Sequence, residues 1–81
     1  MRIRHEVLSP CVGIVDAVFL AINSPVEEGE EVIAIRTPDG IVPVVAEVNG
    51  KMISIEVEAG DEVIPGMIVA YIEEIPERNH G

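Results

Sequence analysis

The chain has no tryptophan, one phenylalanine, one tyrosine, one cysteine and one lysine among its 81 residues. A single cysteine, Cys11, excludes an internal disulfide. Basic residues are scarce: Arg2, Arg4, Arg36, Lys51 and Arg78 form no run and face fifteen acidic residues, for a net charge of −10. Such a surface repels phosphate, which argues against nucleic acid and against an anionic membrane surface as partners. No apolar run is long enough to cross a bilayer, and nothing resembles a signal peptide. A soluble, cytoplasmic protein is the expectation. No segment carries the apolar spacing of a helical face over more than two turns, so no helix is expected. The chain offers no nucleophile–base pair, no phosphate loop and no metal motif, and an enzyme is not expected.

What is present is aliphatic. Hydrophobic residues make up 48% of the chain and the mean hydropathy is +0.37, mostly from Val, Ile and Ala. Val and Ile suit the pleated, half-buried surface of a sheet. The length allows one domain, residues 1–81. The negative charge either keeps a small apolar-rich protein soluble or faces a basic protein partner.

Sliding the chain along itself by 37 residues aligns its two halves without a gap. Gly13 falls on Gly50 and Gly29 on Gly66. Val15 falls on Met52, Val18 on Ile55, Leu20 on Val57, Val26 on Val63, Val32 on Val69 and Ile35 on Ile72. Asn23 falls on Gly60, and these residue types best tolerate a positive φ. Each half reads as a glycine turn, a strand (17–22 or 52–58), a tight turn, a bridge with one valine, a second glycine and a closing strand (31–36 or 68–73). Alternation places Val18, Leu20 and Ile22 on one face, and likewise Ile53, Ile55 and Val57. Residues 1–6 are either a ragged lead-in or the start of an edge strand. Strands 31–36 and 41–45 join the halves through Thr37-Pro38-Asp39-Gly40, an order that suits a type I turn. Two halves packed about a pseudo-twofold axis predict an all-β flattened barrel of two antiparallel sheets. The core spans about residues 7–74, and residues 75–81 are expected to be a flexible tail.

The pattern resembles the biotinyl/lipoyl attachment domain family, in the form of biotin carboxyl carrier proteins. Ser9-Pro10-Cys11-Val12-Gly13 looks like its opening small–Pro–x–x–Gly turn. Residues 58–66 match its Glu-x-Gly-Asp-x-Val-x-x-Gly segment, and Glu47-Val48-Asn49-Gly50 stands at its mid-domain Asp-Gly. The resemblance implies a barrel-sandwich hybrid of two four-stranded sheets with quasi-twofold symmetry. It also implies a modified lysine at the hairpin tip, typically within Ala-Met-Lys-Met. Here Thr37, Pro38, Asp39 and Gly40 take those positions, with Asp39 in the place of the lysine. An aspartate carboxylate cannot form the amide that biotin or lipoate makes with a lysine amine. The expectation is therefore a carrier-like interaction or assembly module without a cofactor. The alternative is a covalent biotin or lipoyl carrier subunit of a carboxylase or a 2-oxo acid dehydrogenase-type complex.

Other candidates are weaker. Lys51-Met52 would have to be the modified motif in a shifted register, yet the repeat partners Lys51 with Ile14. Cys11 has no His near it in sequence to activate it. His5 and His80, with Cys11, match no zinc pattern. Glu27, Glu28, Glu30 and Glu31 flank Gly29 either as a solvated turn or as a face for a basic partner. With Val18 and Leu20 inward, Ala17, Phe19 and Ala21 point out, whereas their counterparts Ser54, Glu56 and Glu58 are polar. Ala17, Phe19 and Ala21 therefore mark either a self-association or partner interface, or a ring folded over the barrel edge.

Overall fold

The computed structural model describes residues 2–75. Of the tail expected over 75–81, residues 76–81, with His80, lie outside the described residues. Eight strands are present: β1 Ile3–Leu8, β2 Gly13–Val18, β3 Pro25–Val26, β4 Glu31–Thr37, β5 Gly40–Val45, β6 Gly50–Ile55, β7 Glu62–Val63 and β8 Ile68–Glu74. They form two four-stranded antiparallel sheets, β1-β8-β6-β3 and β5-β4-β2-β7. No helix occurs among the described residues, and none is long and apolar enough to cross a membrane.

The 37-residue repeat holds strand by strand. Adding 37 to β1, β2, β3 and β4 gives the bounds of β5, β6, β7 and β8. In each sheet the two central strands come from one half and both edge strands from the other. The irregularities repeat as well. β2 slips against β4 between Val15 and Ala17, and β6 slips against β8 between Met52 and Ser54. Such bulges insert an unpaired residue and re-aim the strand.

The core follows the repeat pair by pair. Val15 and Met52, Val26 and Val63, Val32 and Val69, and Ile35 and Ile72 are all buried. Val18 with Ile55 and Leu20 with Val57 are half-buried against them. The repeat also reaches further back than residue 13: Val7 and Val44 are buried mates at equivalent places. Residues 3–8 are the edge-strand alternative of the sequence reading.

Two strand assignments need correction. The strand expected over 17–22 is Gly13–Val18, and that expected over 52–58 is Gly50–Ile55. Past each strand the chain keeps one ladder-like bond, Phe19 N–H to Val32 O at 2.9 Å and Glu56 N–H to Val69 O at 2.8 Å. It then crosses to the other sheet, so alternation no longer sets the facing of Ile22, which is 54% exposed.

Gly13 and Gly50 have a steric role. A Cβ on Gly50 would collide with the backbone oxygen of Glu73, and one on Gly13 would meet the backbone oxygen of Arg36 at 2.6 Å. Neither neighbour is a flexible side-chain end. The exchange of Asn23 for Gly60 answers a different need, with φ of 74° and 97° respectively. Gly50→Ala is expected to destabilise the domain by roughly 1–3 kcal/mol or more. Gly60→Asn should cost less than about 1 kcal/mol, because asparagine tolerates this conformation. Urea unfolding midpoints check both.

Candidate functional site

The hairpin between β4 and β5 places the residues at which the family resemblance points. Thr37 pairs with Gly40, leaving Pro38 and Asp39 as a two-residue loop. Proline fixes φ for the first turn position, and neither Pro38 nor Asp39 has a positive φ. Gly40 takes φ 127°, which favours glycine. The Thr37 hydroxyl braces the tip: it donates to Gly40 O at 2.8 Å and accepts from Asp39 N–H at 3.1 Å. Pro38, Asp39 and Gly40 are exposed. The tip thus presents a carboxylate to solvent on a short, braced turn, as the Pro-Asp-Gly order predicts.

Below the tip, Arg36 reaches Asp16 at 3.6 Å, both side chains being largely exposed. The repeat carries the hairpin onto the ends of the described chain. Ile3 pairs with Glu74 as Gly40 pairs with Thr37. One backbone bond has no mate: Ile75 N–H donates to Asn49 O at 3.2 Å, and its counterpart would start from Pro38, which has no N–H.

Lys51 stands elsewhere. It lies in β6 between Pro25 of β3 and Glu73 of β8, half-buried, and not in the hairpin loop. Cys11 is half-buried against the core, with its carbonyl accepting from the Ser9 hydroxyl at 2.8 Å. His5 Nε2 lies 2.6 Å from Glu74 Oε1, across β1 and β8. Among the described residues no group of three or more His, Cys, Asp or Glu could hold a metal ion. Glu27, Glu28, Glu30 and Glu31 are exposed. Glu30 accepts from Glu27 N–H at 3.0 Å, and Glu28 N–H donates to Asn49 Oδ1 at 2.8 Å. Three of these acids, Glu27, Glu28 and Glu30, therefore take part in turn hydrogen bonds, and Glu30 does so through its carboxylate.

The expected outward set is placed in part. Phe19 is 52% exposed and Ala21 is exposed, but Ala17 is only half-buried, because it sits inside β2 beside Ala34. Glu56 and Glu58 are exposed and Ser54 is half-buried. The sequence reading missed a cleft of about 200 Å³ between β1 and β5, lined by residues such as Val7, Val44, Glu6 and Pro43. These two edges are not paired with each other. The signal was available, since Val7 and Val44 lie 37 residues apart.

No family model matches the chain, and no curated protein matches it. Solved structures do. Over 85% of its length the chain is similar to urea carboxylase of Kluyveromyces lactis, at 30% identity and TM-score 0.81. It spans about 6% of that protein. It is also similar to the lipoyl domain of the 2-oxoglutarate dehydrogenase complex of Azotobacter vinelandii, at 24% identity and TM-score 0.64. That match covers 76% of this chain and 78% of the lipoyl domain. The chain has the barrel-sandwich fold of biotinyl and lipoyl attachment domains.

Thr37→Val removes both bonds that brace the tip. It should lower stability by about 1 kcal/mol, as for a lost solvent-accessible hydrogen-bonding group. Urea denaturation measures the loss.

Proposed function

We propose that the chain is a non-catalytic interaction or assembly module built on the carrier-domain fold, carrying no biotin or lipoate. One observation carries this reading. The hairpin tip consists of half-buried Thr37 and exposed Pro38, Asp39 and Gly40, none of which bears a side-chain amine, and the chain's one lysine is half-buried in β6. Attachment through an amide needs an accessible amine. Asp39 takes the place of the modified lysine in this reading, and its carboxylate offers no amine to be acylated. The partner is a protein, and the apolar residues Phe19 and Ala21 belong to the contact surface.

The competing reading, a covalent carrier, draws on the likeness to a lipoyl domain and to part of a carboxylase. Lys51 is its one acceptor. Co-expression with a biotin ligase or a lipoate ligase, followed by intact-mass spectrometry, separates the two. The expected result is the unmodified mass with either ligase. A biotin- or lipoyl-sized increment that disappears in Lys51→Arg would overturn the proposal.

A further inference from the structure

Beyond the module reading, we infer that β1 is a pairing edge: two copies of the chain join their β1 strands antiparallel about a two-fold axis beside His5, making one eight-stranded sheet from two sheets of four. This edge is a different surface from the one that carries Phe19 and Ala21.

The backbone of β1 is open on one side. Ser9 N–H donates to Met67 O, and Ser9 O accepts from Gly66 N–H. Bonded residues alternate along an antiparallel strand, so Arg4, Glu6 and Leu8 turn their N–H and C=O groups away from β8. Among the described residues no strand pairs with that edge. An unpaired row of this kind is a template for another strand. The other three edges are blunted. β3 and β7 are two residues long, and β5 carries Pro43 at the place where β1 carries Glu6. The repeat thus supplies an internal control: one backbone position has no donor in the second half and keeps it in the first.

The occupant follows from the charges on the edge. Val7, paired with Ala70, faces the core, and alternation puts Ile3 on that inner face and Arg4 and Glu6 on the outer one. In an isologous contact residue i meets j and j meets i. Pairing β1 with itself about His5 sets Arg4 opposite the other copy's Glu6, Glu6 opposite its Arg4, and Ile3 opposite its Val7. Opposite charges then face each other directly and like charges only diagonally. A shift of two residues either way would oppose Glu6 to Glu6 or Arg4 to Arg4, so the charges also fix the register. Behind Arg4 the same row runs to Glu73 and then Lys51. Signs therefore alternate from Lys51 through Glu73 and Arg4 to the other copy's Glu6. Little of the net charge of −10 lies here, because Arg2, Arg4 and Lys51 offset Glu6, Glu73 and Glu74. The inner face is complementary too. Ile3 is 42% exposed, and opposite the other copy's Val7 it covers the cleft of about 200 Å³ that Val7 and Val44 line.

Sedimentation velocity over a concentration series tests this, at an ionic strength of about 0.15 M, where screening confines charge effects to about 8 Å. The parent chain should pass from monomer to dimer as concentration rises. Arg4→Glu turns two attractive pairs into two repulsive ones and should raise the dissociation constant at least about tenfold, as should Glu6→Arg. The double variant, Arg4→Glu with Glu6→Arg, restores both pairs and should return to within about threefold of the parent. Glu6→Pro removes a free-edge donor where the fold already accepts Pro43, and should also weaken the dimer at least about tenfold. Phe19→Glu, away from this edge, should change the constant by less than about threefold. Circular dichroism melts confirm that each variant folds. Amide exchange adds a local readout: the Arg4 and Glu6 N–H groups should exchange more slowly in the dimer than in the monomer. A parent chain that stays monomeric at every concentration overturns the inference. So does a double variant as weak as either single one, an equal loss in Phe19→Glu, or a dimer in which the Arg4 and Glu6 amides exchange as fast as in the monomer.

Discussion

Neither half of this chain can bury its own apolar side, and the fold depends on that constraint. A half of four strands, one of them only two residues long, has too little surface to close over its own valines and isoleucines. The solution is exchange. Each half contributes the central pair of one sheet and the edge strands of the other. The core then interleaves Val15, Val32 and Ile35 with Met52, Val69 and Ile72. Stability comes from a surface that exists only once the two halves have met.

That exchange fixes small local details. Gly13 and Gly50 begin the central strands where an adjacent backbone oxygen passes too close for a Cβ. The crossings between sheets are tied in the same way on both sides. Asn23 N–H donates to Met52 O, and Gly60 N–H donates to Val15 O. Ser24 O accepts from Met52 N–H, and Asp61 O accepts from Val15 N–H. These buried or bridging backbone groups need partners, and the two-fold provides each with one.

The repeat made most of the core legible in sequence, because buried positions tolerate only apolar residues of similar volume. Val26 with Val63 and Ile35 with Ile72 survive as near-identities. The strand bounds were less legible. Bulges after Val15 and Met52 add a residue that simple alternation cannot anticipate, and the crossings at 19–22 and 56–59 keep apolar residues outside the ladder. β1 was least legible. Arg4, His5 and Glu6 share no residue type with Ile41, Val42 and Pro43, although their backbones pair alike. The hairpin tip was legible because Pro38, Asp39 and Gly40 act locally. The place of Ala17 was not, since its exposure depends on Ala34 across the ladder.

Where the halves agree, the fold requires it; where they disagree, something else has acted. Pro38 gives up a bond that its counterpart Ile75 makes, in return for a fixed turn. Gly40 adopts a glycine conformation, whereas its mate Ile3 is an ordinary strand residue paired with Glu74. Neither difference touches the core. The same holds for the outer faces, where Ile41 and Phe19 stand against Arg4 and Glu56 over a common backbone. Stability alone would not keep a half-exposed phenylalanine where a glutamate fits the equivalent position. The breaks of symmetry on the described surface are therefore the hairpin tip and the half-exposed Phe19 and Ile41, over a backbone that the two halves share.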